Sequence, residues 1–217
     1  MDRSSPDYRW VDRGLVLMST AADDYNAIDP NLVLDTRGRA WLAFGSFWSG
    51  IKLRRLDNRT GLVSHRDTKL CSLATRRKPQ DAAPAKPGPP PDREAIEAPF
   101  IVRHCGYYYL FVSWDLCCRG IRSTYHIIVG RSKRIAGPYV DQHGVPMTES
   151  GAMELLAGNR RWLGPGGWSI LMSSNGLDVM VFRAYDSRSG APALQLSTLT
   201  WQGGWPHAAL EQSIHGR

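Results

Sequence analysis

Asp29-Pro30-Asn31-Leu32-Val33-Leu34-Asp35-Thr36-Arg37-Gly38-Arg39-Ala40-Trp41-Leu42-Ala43-Phe44 reads as two short apolar strands folded back on each other. Leu32-Val33-Leu34 and Trp41-Leu42-Ala43-Phe44 have strand length and strand composition. Between them, Asp35-Thr36-Arg37-Gly38 is a tight-turn signature whose glycine supplies a positive φ. The unit recurs: Tyr109-Leu110-Phe111-Val112 begins twelve residues after Glu97 of Glu97-Ala98-Pro99, and Val179-Met180-Val181-Phe182 begins twelve after Gly167, as Trp41 does after Asp29. The marked residues Asp29, Glu97 and Gly167 stand 68 and 70 residues apart. A marked residue, a short strand, a turn and a longer strand, repeated, predict β-propeller blades around a central channel, lengthened by loops. Chance similarity between hairpins is the alternative.

The rest of the 217 residues fits an all-β reading, with further apolar runs at Ile127-Ile128-Val129 and at 194–199. The best helical candidate is the short stretch 153–157, and Gly164-Pro165-Gly166-Gly167 reads as a turn, since it lacks the Lys-Ser/Thr of a phosphate loop. Prolines at 79, 84, 87, 89, 90 and 91 make 78–92 an extended loop within a single domain spanning 1–217. With 42% apolar and 22% charged residues the chain is neither disordered nor collagen-like. No run approaches a membrane span and the start lacks the apolar core of a signal peptide, so no membrane partner and no export are expected of it as written. The net charge of +7 admits an acidic partner, nucleic acid or a pectin-like polysaccharide, but the basic residues are scattered and the densest run, Arg76-Arg77-Lys78, borders the proline-rich loop. Cys71, Cys105, Cys117 and Cys118 lack zinc or Cys-x-x-Cys spacing and are read as buried free thiols.

Innermost propeller strands line the axis, so residues starting equivalent strands converge on one funnel. Asp29 and Glu97 are therefore expected near each other, and two carboxylates facing a sugar-sized pocket suit glycoside hydrolysis, one of them kept protonated for the leaving oxygen.

The blocks that carry these residues resemble the arabinan endo-1,5-α-L-arabinosidases of glycoside hydrolase family 43. They are Asp24-Tyr25-Asn26-Ala27-Ile28-Asp29-Pro30-Asn31, Phe44-Gly45-Ser46-Phe47-Trp48-Ser49-Gly50-Ile51, and Ile96-Glu97-Ala98-Pro99-Phe100-Ile101-Val102. The likeness continues through Cys117-Cys118-Arg119-Gly120, Ser123-Thr124-Tyr125 and Ala184-Tyr185-Asp186, covering about residues 5–206. It implies a five-bladed propeller, here about four blades with the first missing, that cuts α-1,5-linked arabinan with inversion. By motif, Glu97 would be the general acid and Asp29 the residue that orients it and raises its pKa by like-charge proximity. Asn26, Ala27, Ile28, Ser46, Phe47 and Trp48 would be substrate contacts.

Two departures accompany the likeness. One repeat back from Asp29 falls before Met1, so the blade carrying the general base is absent, and Asp2, Asp7, Asp12, Asp23 and Asp24 match no base motif. Relatives also have His after Gly-Pro-Gly, where it helps hold an axial ion such as calcium, whereas Gly167 offers no ligand atom. Three readings follow: an arabinan hydrolase with an upstream blade and export signal, as relatives are secreted; a base-less remnant that binds arabinan; and, weakest because aromatics are not interleaved with basic residues, a nucleic-acid binder. An open N-terminal edge would also favour self-association.

Overall fold

The computed structural model describes residues 8–76, 92–174 and 176–210. Most of the proline-rich stretch 78–92 and the acidic candidates Asp2 and Asp7 lie outside the described residues. Twelve strands form three four-stranded sheets, each an antiparallel meander in chain order. The first contains β1 (Asn31–Leu34), β2 (Ala40–Phe44), β3 (Ile51–Arg55) and β4 (Cys71–Ala74). The second contains β5 (Ile96–His104), β6 (Tyr107–Trp114), β7 (His126–Ser132) and β8 (Met153–Leu156). The third contains β9 (Trp162–Leu171), β10 (Asp178–Asp186), β11 (Pro192–Gln202) and β12 (Trp205–His207). Among the described residues these make three four-stranded blades, where the sequence reckons about four for the whole chain, and residues 8–30 add no strand. Among the described residues the only helices are three 3-10 turns, and no helix is long and apolar enough to cross a membrane.

Alternation explains how the sheets stack. Successive side chains of a strand point to opposite faces, and β6 is apolar at nearly every position because both of its faces are covered. Tyr108, Leu110, Val112 and Trp114 pack with Trp41, Ala43, Ile51 and Leu53 of the first sheet. Tyr109 and Phe111 pack with Ile170, Met180, Phe182 and Leu199 of the third. The flanking sheets each keep one apolar face uncovered among the described residues: Leu32 and Leu34 on the first, Leu171, Leu194 and Leu196 on the third, all more than half exposed.

The repeat register holds in space. Glu97 lies opposite Ser113, the Gly45 N–H donates to the Ile28 carbonyl beside Asp29, and Arg183 lies opposite Gly166. The first strands of neighbouring blades meet, β1 against β5 and β5 against β9. The hairpin turn forms as read, with Gly38 at φ 71° and its N–H on the Asp35 carbonyl.

Three local expectations are corrected. Residues 153–156 form β8, because they pair beside β7 and Leu155 and Leu156 are buried in a cluster with Trp168, Ile170 and Met180, and that burial outweighs helical propensity over so short a run. Gly164 and Gly167 have positive φ within β9, where the pairing with β10 is irregular, so the glycines make bulges in a strand and not a turn. Cys117 and Cys118 are disulfide-bonded to each other and Cys105 is exposed, which leaves Cys71 as the buried free thiol.

Candidate active site

The site is assembled where the first two sheets meet. The β2–β3 connection turns so tightly that a Cβ on Gly45, at φ 134°, would lie 2.6 Å from the Gly50 carbonyl oxygen. That turn lays residues 46–47 along the start of β5. Ser46 bridges to Glu97, and the Phe47 N–H donates to the Ile96 carbonyl at 2.8 Å. The buried Ser46 hydroxyl then donates to Glu97 Oε2 at 2.8 Å. On the other side of the junction, Asp29 Oδ2 accepts the Ala98 N–H at 3.0 Å. Asp29, Phe47, Trp48 and Ala98 all have positive φ, between 44° and 56°. Left-handed conformations cost L-residues roughly 1–2 kcal/mol each, so four together show that packing around this junction dictates the backbone, as happens at functional sites.

Both carboxyls titrate above the ordinary range. Burial is the largest cause for Glu97; the charge of Asp29 adds to it, while the Ser46 hydroxyl and the Arg183 guanidinium oppose it. Asp29 is pushed up by burial and held back by the Ala98 amide. The sequence assigns the shift at Glu97 to like-charge proximity, but loss of water around the carboxyl outranks it. The chemical consequence is a carboxylic acid that keeps its proton to higher pH than a solvated glutamate, which is what protonation of a leaving oxygen requires.

The structure brings only part of the expected substrate-contact set to this junction. Ser46 is buried and committed to Glu97, with Phe47 and Trp48 partly buried next in the chain, and the Ile28 carbonyl accepts the Gly45 N–H. The Ala27 and Ile28 side chains line a separate apolar hollow with Val16, Leu17, Pro30, Leu42 and Phe44, and Asn26 is partly buried just before them. The segment before Asp29 is pinned by the Ala27 N–H on the Ser19 hydroxyl and by the N–H and hydroxyl of Ser49 on the Asp24 carbonyl. The side chains of Asp12 and Asp23 accept hydrogen bonds from Gly14 and Thr20 within their own turns.

Sequence reading misses two features. Arg183 brings a positive charge to bear on Glu97; it sits over the Tyr185 ring at 5.2 Å, and its Nη2 lies 3.7 Å from Cys118 Sγ. No local pattern marks it: it stands one residue before Ala184-Tyr185-Asp186, outside that block. The second is the Cys117–Cys118 disulfide in the β6–β7 connection, which the adjacency of the two cysteines could have suggested.

A side-chain-held axial ion does not fit position 167. Gly167 supplies no ligand, a Cβ there would meet nothing within 4 Å, and among the described residues no group of three or more His, Cys, Asp or Glu could hold a metal.

The sequence profile of glycosyl hydrolases family 43 matches residues 3–206. An extracellular endo-α-(1→5)-L-arabinanase of Bacillus subtilis is 46% identical over 198 residues, covering 91% of this chain and 55% of that protein. An extracellular exo-α-(1→5)-L-arabinofuranosidase of Cellvibrio japonicus is 41% identical over 210 residues, covering 95% and 58%. The solved α-L-arabinanase of Cellvibrio cellulosa complexed with arabinohexaose superposes with a TM-score of 0.84 at 40% identity, over 96% of this chain and 65% of that one. The chain thus spans a little over half the length of the curated relatives it matches.

Proposed function

This chain belongs to glycosyl hydrolases family 43, and we propose that it supplies the proton-donating half of an inverting α-1,5-L-arabinan hydrolase. Glu97 is the general acid, giving its proton to the glycosidic oxygen as the bond to the anomeric carbon breaks. Asp29 is a positioning residue: held by the Ala98 amide, it keeps its charge beside Glu97 and favours the protonated acid. Ser46 fixes the Glu97 carboxyl through Oε2, leaving the other oxygen to face substrate. Phe47, Trp48 and residues 26–28 contact the arabinose units. The observation that carries this reading is the hydrogen-bonded, water-poor Glu97 carboxyl with the Asp29 charge next to it.

The base belongs to a blade preceding β1, and residues 1–217 form a single part-propeller to which that blade adds. The uncovered faces at Leu32 and Leu34 and at Leu194 and Leu196 support seats for further sheets. Without the base, water is unactivated, and the chain alone binds arabino-oligosaccharide but cleaves it at least about a hundredfold more slowly, since each acid or base group contributes about 10²–10⁴-fold. The native protein acts outside the cell, as the names of both curated relatives support. The test is linear arabinan digested by an N-terminally extended form and followed by proton NMR. The first product carries the inverted anomeric configuration if the reading holds; retained configuration overturns it.

A further inference from the structure

The sheet ends opposite Glu97 carry a basic trench. Glu97 stands near the start of β5, whereas Arg37 and Gly38 lie in the β1–β2 turn, Arg55 ends β3, and Lys133 and Arg134 follow the end of β7. One groove of about 470 Å³ is lined by Arg37, Arg39, Arg55, Arg59 and Arg66, with Asp57 and Asp67. A second, of about 390 Å³, shares Arg37 and Arg39 and continues past Trp41 and Asp35 to Lys133 and Arg134. Seven cationic side chains thus face three carboxylates along one continuous depression.

Two of those carboxylates are committed to local structure, and Asp67 accepts the Lys69 N–H at 3.4 Å. Asp35 accepts the N–H groups of Arg37 and Arg39, the Arg39 Nε and the Trp41 indole. Asp57 accepts the N–H groups of Arg59 and Thr60. Arg37, Arg59 and Arg66 are exposed and belong to no ion pair among the described residues. The Asp57 carboxyl is held below its ordinary range by the Arg59 and Thr60 amides and, further, by the charges of Arg59 and Arg66. The three exposed guanidinium groups offer paired donors, which match carboxylate oxygens two by two. Nothing in the catalytic reading uses them.

We propose that this trench is a second polysaccharide-binding site, specific for a chain of uronate sugars, with Arg37, Arg59 and Arg66 as its carboxylate-binding residues. A polyuronate presents carboxylates along a flexible, uncharged-ring backbone, which spaced arginines can follow. Single-stranded nucleic acid fits less well, because its binding sites interleave cations with exposed aromatic platforms, and the indole in this trench, Trp41, is buried between Arg39 and Arg55. Occupation leaves the Glu97 end of the sheets free, so a polyuronate held here raises the local concentration of any neutral chain attached to it. The site stands whether or not the chain hydrolyses arabinan.

The experiment is affinity electrophoresis and biolayer interferometry of the full chain against polygalacturonate, its methyl ester, neutral linear arabinan and an oligothymidylate. Expected are retention by polygalacturonate that weakens with salt, no retention by the methyl ester, and at least a tenfold loss in the Arg37→Glu/Arg59→Glu/Arg66→Glu variant. A control of equal charge, Arg122→Glu/Arg160→Glu/Arg188→Glu, and Glu97→Gln both keep polygalacturonate binding, so the trench is read separately from the Glu97 end. Should the triple variant lose its cooperative melting transition, Arg59→Gln and Arg66→Gln singly replace it, each expected to weaken binding about threefold. The proposal is overturned if polygalacturonate is not retained at low salt, if the control loses as much as the trench variant, or if the oligothymidylate binds more tightly.

Discussion

The Ser46 hydroxyl donates a 2.8 Å hydrogen bond to Oε2 of Glu97, joining the first sheet to the partly buried carboxyl at the start of the second. The bond favours the ionised form, so it works against the burial that keeps Glu97 protonated. Ser46→Ala should therefore raise the Glu97 pKa further, because a hydrogen bond to a charged group, worth about 1.5–3 kcal/mol, is lost from the ionised state. Carbon-13 NMR titration of the glutamate carboxyls reads this directly; an unchanged or lowered value would contradict the contact.

Asp29→Asn should move Glu97 the other way, because it removes a like charge while asparagine tolerates φ 55° and can still accept the Ala98 N–H. The same variant should gain stability near neutral pH. The folded-state pKa of Asp29 is raised, so the native protein binds the proton more tightly than the unfolded chain, and stability falls as pH rises from the ordinary aspartate range through the raised value. Melting temperatures across pH should show the Asp29→Asn variant ahead of wild type at pH 7 and level with it below about pH 4.

Asp35 has the opposite sign. Its carboxylate, held by the Trp41 indole, the Arg39 and Arg37 amides and the Arg39 guanidinium against the cost of burial, titrates at about 2 instead of 3.8. The stability it contributes, about 2 kcal/mol, is full above the unfolded pKa and is lost as pH falls through about 2. Asp35→Asn should cost about that much at pH 7 and almost nothing at pH 2 in urea unfolding.

Gly166→Ala tests the packing of the second and third sheets. The added Cβ would lie 2.2 Å from Tyr125 Cδ2 and 3.1 Å from Ser113 Oγ, and Ser113 is the register partner of Glu97. Overpacking of this kind costs typically about 1–3 kcal/mol, so the urea midpoint should drop and the Glu97 titration should shift with it.

The hairpins, the repeat register and the pair Asp29 and Glu97 were legible because each rests on local chemistry: apolar runs, turn glycines and motif spacing. The twelve-residue offset survives in the pairing, with Trp41 opposite Val33, Tyr109 opposite Val102 and Val179 opposite Leu171, each partner four or five residues after its marked position. What the chain order hides is what long-range packing decides. Residues 153–157 read as the best helical candidate until β7 pairs beside 153–156, and Gly164 and Gly167 read as a turn until β10 pairs beside them. Arg183 approaches Glu97 from a different blade, 86 positions along, and no local pattern announces it. Burial outranking Asp29 as the cause of the Glu97 shift is likewise a property of the assembled junction.

The most direct test of the account is turnover of linear arabinan by three proteins side by side: this chain, its Glu97→Gln variant and an N-terminally extended form. The account predicts that the extended form is at least about a hundredfold faster than the chain alone, and that Glu97→Gln in the extended form removes that activity. If the unextended chain turns over as fast as the extended one and Glu97→Gln abolishes it, a general base lies within these 217 residues, and the assignment of the base to a further blade is wrong.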